Sequence, residues 1–303
     1  MKRKIVRHGP SSLTISLPMK WIKKHNIKAG DELDIREINS FLTIGNQNQN
    51  NDKSILIDVS NIGKSINRVI GSIYRAGYDN VKIKYSNPEE FDEIQDEVEK
   101  ISKGFEIFKY SSSEIQIKSI YQPNIEDFNN VLQRYFYAIK NIGVDLLDTL
   151  KKKNLDFLKT VILQDRAIDR HSNFLRRILN KGLQIEFDRP YCIYYIIEQL
   201  EIFADLYKEF AKLYYSNREK KILNDYLIII EQINELFDIF LKAFFNFTFD
   251  KSKALFNKEK EIYSTFEKLK KNPNIDVETY SQLYLIFRCL FEIKCALLTG
   301  FLK

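Results

Sequence analysis

The feature that most constrains this fold is a long stretch, residues 122–303, in which amphipathic helical sequence is rarely interrupted. The chain has only 10 Gly and 6 Pro among its 303 residues, and a shortage of both favours long helices over an all-β fold. Apolar residues recur at helical spacing between short polar breaks. We place six helices, at 124–152, 154–181, 188–215, 217–247, 250–271 and 276–302. Such helices pack as antiparallel neighbours in a bundle, and six of them divide into two groups of three, which indicates an internal duplication.

Residues 1–46 show a different pattern, that of short strands around one short helix. Strict alternation places Leu13, Ile15 and Leu17 on one face of a half-buried strand. Pro18 then begins a helix of about two turns, because a first helical residue needs no N–H. Two further strands, ELDIREI and FLTI, flank a turn at Asn39–Ser40. A segment this small buries little surface by itself, so we expect it to oligomerise.

A polar linker and a small α/β unit lie between these two regions. The linker, NQNQNNDK at 46–53, offers no apolar anchor. After it, strands and helices alternate: SILIDV, a helix, VKIKY, a second helix ending at Gly104, and a hairpin of FEIFKY and SEIQIKSI. This order predicts an open sheet with helices on one face. The predicted domains are therefore 1–46, 54–121 and 122–303.

Charge is distributed unevenly along the chain, whose net charge is +6. Residues 89–99 carry seven acids and no base. Residues 1–28 have no acid, and their bases are Lys2, Arg3, Lys4, Arg7, Lys20, Lys23, Lys24 and Lys28. A basic end on a polarised chain favours an anionic partner such as nucleic acid, the alternative being an ordinary solvated face.

Composition argues against several classes of protein. The three cysteines form no CxxC and no Cys/His cluster, which fits a reducing cytosol and disfavours a zinc or disulfide framework. The three histidines (His8, His25 and His171) are scattered, so a catalytic histidine pair is not expected. The sequence has neither a signal-like segment nor a run of 18 uncharged apolar residues. We therefore expect a cytoplasmic protein without membrane insertion.

The order of residues in RKIVRHGPSSLTISLPMKWIKKHNIKAGDELDIREINSFLTI is more specific than its charge. A basic strand, a Gly turn, a Ser/Thr strand, a basic helix and a hairpin follow one another, with SLPMKW at 16–21 and KAGDEL at 28–33. This block resembles the AbrB/SpoVT family of swapped-hairpin DNA-binding domains. The resemblance implies an intertwined homodimer, in which strands of two chains build one barrel and present a basic face to double-stranded DNA.

Residues of this block suit different parts of a DNA duplex. Lysine and arginine neutralise phosphates, short hydroxyl side chains donate mainly to the backbone, and arginine pairs bidentately with guanine. We expect Arg3, Arg7 and His8 to reach base edges. The full candidate set is Lys2, Arg3, Lys4, Arg7, His8, Ser11, Ser12, Thr14 and Lys20. The alternative is a dimerisation module whose rim is incidentally basic.

Two helices of the third region carry carboxylates four residues apart. VILQDRAIDRH places Asp165 and Asp169 on one helix face beside an apolar stripe, where burial is costly unless they are paired or bind metal. The next helix carries Glu201 and Asp205, whose spacing alone indicates an ordinary solvated edge.

These two helices, ILQDRAIDRHSNFLRRIL and EQLEIFADLYKEFAKL, resemble the PhoU family, whose three-helix repeats carry (E/D)xxxD motifs. The resemblance implies that Asp165, Asp169, Glu201 and Asp205 hold a divalent or ferric ion such as Fe, Zn or Mg. The alternative is salt bridging to neighbouring arginines, namely Arg166, Arg170 or Arg176. The second repeat departs from the motif, since Tyr263 follows Glu259 and Ala296 follows Glu292, so a full second site is not expected.

The three regions together resemble the archaeal phosphate uptake regulators. The resemblance implies a mainly helical multidomain protein: a swapped-hairpin β domain, a small α/β unit and a PhoU-like six-helix body of two repeats. It also implies a transcriptional regulator of phosphate homeostasis that needs no catalysis, with a phosphate transporter subunit as a further partner. One alternative is an adaptor of that transporter whose N-terminal domain only dimerises. Another is a di-metal oxidase, which the lack of Glu-x-x-His ligand pairs disfavours.

Overall fold

The computed structural model describes residues 2–38, 41–45, 52–101, 104–182, 185 and 187–301. The chain forms two compact units, which we call the head (Met1–Asn51) and the body (Asp52–Lys303). Most of the described chain is helical. Parts of four predictions lie outside the described residues: the turn at 39–40, linker residues 46–51, positions 102–103 of the second α/β helix, and position 302.

The head contains two antiparallel hairpins and one short helix. The first hairpin pairs β1 (Ile5–Arg7) with β2 (Leu13–Ile15), and the second pairs β3 (Asp34–Ile38) with β4 (Phe41–Gly45). Between them lies α1 (Met19–Lys24), which Pro18 immediately precedes. The small hairpins and the helix follow the predicted order.

No side chain that the structure describes in the head is buried. Apolar residues of both hairpins are largely exposed: Ile5 is 66%, Leu13 70%, Ile15 52%, Ile35 63% and Leu42 67% exposed. The described side chains of a single head therefore form no hydrophobic core, and these apolar residues remain available to another surface.

The body begins with a four-stranded sheet and two helices. In chain order these are β5 (Ser54–Asp58), α2 (Ile66–Arg75), β6 (Asn80–Lys84), α3 (Pro88–Ile101), β7 (Phe105–Tyr110) and β8 (Glu114–Ser119). The strand order is β5-β6-β8-β7, with β5 and β6 parallel and the other pairs antiparallel. On β6 the side chains of Val81 and Ile83 are buried while those of Lys82 and Lys84 are exposed, so the core lies on one face of the sheet.

Six helices follow: α4 (Ile125–Lys151), α5 (Leu158–Asn180), α6 (Pro190–Ser216), α7 (Asn224–Phe245), α8 (Phe249–Leu269) and α9 (Val277–Phe301). Two predicted starts are wrong. A 3-10 turn at Leu155–Phe157 precedes α5, and α7 begins at Asn224 rather than at 217. The intervening chain bends at Lys220, whose ammonium forms salt bridges of 2.8 Å with both Asp276 and Glu278.

The helices share one hydrophobic core. Helix α5 packs against α4 and α6, and also against α2 and α3 of the α/β part. At its C-terminal end Arg177 donates to Asp79 at 2.7 Å and to the carbonyls of Tyr74 and Tyr78 at 2.8 Å. Helix α5 is thereby fixed between the sheet domain and the bundle. Among the described residues, no helix combines the length and the apolar character needed to cross a membrane.

Candidate functional site

The predicted DNA-binding residues all lie exposed on the head. Lys2, Arg3 and Lys4 precede β1, and Arg7 ends it. The turn to β2 contains His8, Ser11 and Ser12, whereas Thr14 lies within β2 and Lys20 within α1. Eight of the nine residues therefore lie on or next to the first hairpin, with Lys2, Arg3 and Lys4 before its open end and His8, Ser11 and Ser12 in its turn. Lys20 lies on the helix.

Hydrogen bonds divide these residues into two groups. Ser12 donates its hydroxyl to the carbonyl of His8, and Thr14 donates to the carbonyl of Val6 at 3.2 Å. These hydroxyls stabilise the hairpin in the single chain, although we predicted them as phosphate donors. Lys2, Arg3 and Lys4, by contrast, form no ion pair with any residue that the structure describes. Their charges are free to neutralise an anionic partner.

A second candidate site lies in the body, where α5 and α6 face each other. Oxygen atoms of Asp165 and Asp169 from α5 and of Asp205 from α6 all lie within 4.8 Å of one another. We call these three residues the carboxylate cluster. Three of the four predicted metal ligands are therefore brought together by the packing of the two helices.

The fourth predicted ligand, Glu201, is committed to an ion pair. Arg176, which is 4% exposed, donates to Glu201 at 2.7 Å and more weakly to Glu198 at 3.4 Å. Arg176 is one of the three salt-bridge partners that the sequence offered as the alternative to metal. The other two, Arg166 and Arg170, form no ion pair with a described residue.

Lys208 of α6 also belongs to this site, although from the sequence it was expected only on the flank of the helix beside Asp205. Its ammonium donates to Asp165 at 2.6 Å and also to Asp205. The spacing of three residues between Asp205 and Lys208 is a signal for such a pair. It does not show that the lysine also reaches Asp165 on the neighbouring helix.

The cluster is held in an environment that disfavours ionised carboxylates. Burial, followed by the nearby charges of Asp165 and Glu201, raises the pKa of Asp169 to about 7. Burial also raises the pKa of Asp165 and that of Glu201. Burial lowers the pKa of Lys208, but its hydrogen bonds to Asp165 and Asp205 outweigh this effect and raise it above its ordinary value. At neutral pH the cluster therefore holds a protonated lysine and a carboxyl group close to its midpoint.

The donor set allows a direct test of whether a metal ion fits. Asp165 Oδ1 is buried without a hydrogen-bond partner, as expected for an atom with room for a cation. Carboxylate oxygens alone suit Mg²⁺ or Fe³⁺ better than Zn²⁺, which favours nitrogen and sulfur ligands. Lys208, however, already supplies positive charge to two of the three carboxylates. The cluster therefore fits an oxygen-ligated cation once the Lys208 ammonium turns away.

The corresponding positions of α8 and α9 are occupied by internal ion pairs. Lys294 donates to Glu259 at 2.5 Å, and both residues are almost fully buried. Arg288 donates to the hydroxyl of Tyr263 at 2.9 Å and to Glu292. Each of these two carboxylates therefore has a basic side chain of its own, unlike the crowded carboxylates of α5 and α6.

Comparison with known families identifies the head. Residues 6–52 match the model of a family described as antidote-toxin recognition MazE, bacterial antitoxin. A search of curated proteins found no significant match, and a search of solved structures also found none. The N-terminal segment of this chain is therefore a MazE/AbrB-like domain.

Proposed function

We propose that this protein is a transcriptional regulator that binds double-stranded DNA as a homodimer through residues 1–46. The observation that carries the proposal is the head itself, whose first hairpin is basic, none of whose described side chains is buried, and which matches the MazE family over residues 6–52. MazE/AbrB-like domains typically dimerise and bind DNA.

Exposed apolar side chains support the dimer. Ile5, Leu13 and Ile15 of the first hairpin expose at least half of their surface, as do Ile35 and Leu42 of the second. Burying each such side chain against a second copy contributes about 1.5–3 kcal/mol. A symmetric dimer uses the same surface on both chains, so the same apolar residues form both halves of the interface.

The basic side chains of the head support DNA as the partner. A dimer presents Lys2, Arg3, Lys4 and Arg7 twice, and the first three form no ion pair within the described chain. Each lysine or arginine that neutralises a phosphate releases counterions, which makes the affinity for DNA depend steeply on salt. Arg3, Arg7 and His8 are the proposed contacts to base edges.

The body is the proposed sensor. Its resemblance to PhoU supports a role in phosphate homeostasis, and the geometry of the carboxylate cluster supports a bound cation held by Asp165, Asp169 and Asp205. Glu201 then acts through its ion pair with Arg176 rather than as a ligand. A bound cation would supply fixed positive charge between α5 and α6, which favours the state in which these carboxylates are ionised. The proposed protein needs no catalytic step.

The decisive experiment measures binding of the full-length protein to genomic DNA fragments at two salt concentrations. We expect fragment-specific binding that weakens steeply with salt and is lost in the Arg3→Ala/Arg7→Ala variant. The matched control is Arg134→Ala/Lys159→Ala, which removes two exposed charges of the body and should leave binding unchanged. A confirmed dimer that fails to bind at low salt would instead support the phosphate-transporter adaptor, with a head that only dimerises.

A second candidate function follows from the matching family, whose description concerns recognition between an antidote and a toxin. In that case the protein would neutralise a toxic partner protein. A stable complex with the product of a neighbouring gene that arrests growth when expressed alone would favour this role. Normal growth on expression of each neighbouring gene would rule out this toxin-neutralising role.

A further inference from the structure

A cleft of about 680 Å³ lies within the body, between α2 and α3 of the α/β part and α5 of the bundle. Its volume falls in the range of about 300–1,000 Å³ that is typical of small-molecule sites. Asp169 and Glu201 form part of its lining. The cleft therefore adjoins the carboxylate cluster but extends well beyond it.

Four arginines line the cleft, and we call this set the basic wall. Arg68 and Arg75 come from α2, and Arg166 and Arg170 lie one helical turn apart on α5. None of the four guanidinium groups is hydrogen-bonded to a carboxylate among the described residues. Within the described part of the chain, Arg75 donates to the neutral groups of Asn173 at 2.9 Å and Ser72 at 3.2 Å.

Arg75 is the part-buried arginine of this set, whereas Arg68, Arg166 and Arg170 are exposed. Burial and the neighbouring positive charge of Arg176 lower the pKa of Arg75, although the charges of Glu201 and Glu198 offset part of this effect. Burying a positive charge costs free energy, and an anionic ligand would offset that cost. Guanidinium groups pair bidentately with phosphoryl oxygens and hold them in a fixed geometry.

Residues of α3 limit the kind of anion that fits. Helix α3 lines the cleft with Asp96, Glu97 and Glu99 and also with Lys100, which pairs with Asp96 at 3.3 Å. The other two acids disfavour a long polyanion such as nucleic acid. Among the described residues, no aromatic side chain lines the cleft, so a nucleobase would find no stacking surface. The lining therefore favours a compact anion that is larger than a single phosphate ion.

We propose that this cleft binds a small compound with two or more phosphoryl groups, held by Arg68, Arg75, Arg166 and Arg170. The compound is either a short inorganic polyphosphate or a phosphorylated sugar, since both present the same charged groups. Binding places negative charge beside Asp169 and thus affects the carboxylate cluster. Its role as an effector rests on the proposed regulatory function, whereas the binding itself does not.

Calorimetry on the full-length protein tests the site with three probes: inorganic tripolyphosphate, a sugar bisphosphate and inorganic phosphate. We expect one of the first two to bind, and the tighter one identifies the source of the phosphoryl groups. Arg166→Gln/Arg170→Gln should weaken its binding at least about tenfold, because each lost guanidinium removes charge-assisted hydrogen bonds. Both side chains are exposed, so the variant should keep its fold. Arg134→Gln/Lys159→Gln serves as the matched control.

Three results would overturn the inference: no binding of either larger probe, equal weakening in the control, or a loss of binding in Arg3→Ala/Arg7→Ala instead. The last result would place the anion on the head. Measuring DNA binding on the same samples separates the two proposals. Specific DNA binding without probe binding would rule out only the proposed anion site in the cleft. Probe binding without DNA binding would rule out only the proposed role as a DNA-binding regulator.

Discussion

The head and the body differ in how far each buries its own apolar side chains and pairs its own charges. The head exposes its apolar side chains and buries none of those described. Its Lys2, Arg3 and Lys4 form no ion pair with a described residue. The body encloses one large aromatic and aliphatic core and pairs even its buried charges, as in Arg177 with Asp79 and Lys294 with Glu259. This difference fits the proposal that other molecules complete the head, whereas the body has a core and paired charges of its own, apart from the cleft and the carboxylate cluster.

The largest effect is expected from a substitution in the head. Leu13→Asp places a charge on the exposed hairpin face and should prevent dimerisation. DNA affinity should then fall by at least about a hundredfold, because two linked contacts become one. Analytical ultracentrifugation and DNA titration measure both effects. Leu285→Asp, at a leucine of α9 that is 54% exposed, is the matched control, and dissociation of both variants would contradict the assigned interface.

A buried ion pair of the body should respond through stability instead. Lys294→Met leaves Glu259 buried without its partner, which costs about 3–5 kcal/mol of unfolding free energy. Lys151→Met removes a partner from the exposed pair with Glu231 and should cost about 0–1 kcal/mol. Denaturant titration distinguishes the two. Equal losses would show that the buried pair is no more important than a surface one.

Lys208→Met tests whether the carboxylate cluster of the body can bind a cation. Removing the ammonium should raise the affinity for Mn²⁺ at least about tenfold, because a positive charge hydrogen-bonded to two of the ligands is lost. Asp165→Ala/Asp169→Ala should abolish binding, as measured by calorimetry. If neither wild type nor Lys208→Met binds the ion, the cluster is an internal ion-pair network.

The smallest effect is a change in pH dependence. The folded-state pKa of Asp169 is about 7, above its ordinary value of 3.8, so this group stabilises the fold at low pH and the contribution is lost as pH rises through about 7. Asp169→Asn should therefore be more stable than wild type at pH 8. The advantage should shrink as pH falls toward 4. Thermal melts across this range measure it, and an advantage independent of pH would contradict the shifted pKa.

The sequence predicts the elements of this chain better than their contacts. The six long helices and the order of the hairpins follow from periodicity and turn residues, which are local signals. The early start assigned to α7 is wrong because Lys220 is held by Asp276 and Glu278, far away along the chain. No local pattern reveals such a contact.

The candidate site shows the same limit. Asp165, Asp169 and Asp205 could be selected from motif spacing, and the structure brings them together. The bond from Lys208 to Asp165 and the pairing of Arg176 with Glu201 depend on the way α5 and α6 face each other. The basic wall likewise requires α2 to pack beside α5, which no pattern within either helix specifies.

The salt dependence of DNA affinity tests the central claim most directly. A dimer that presents Lys2, Arg3, Lys4 and Arg7 from both heads should give a plot of log affinity against log salt with a slope of about −4 to −7, at roughly −0.9 per neutralised phosphate. Lys2→Ala/Lys4→Ala should reduce that slope by about half or more, because these lysines are the proposed phosphate contacts, whereas Arg3 and Arg7 are proposed to reach base edges. Specific binding with these slopes would establish the head as the DNA-binding surface. A confirmed dimer that shows no binding, or binding with an unchanged slope in the variant, would contradict it.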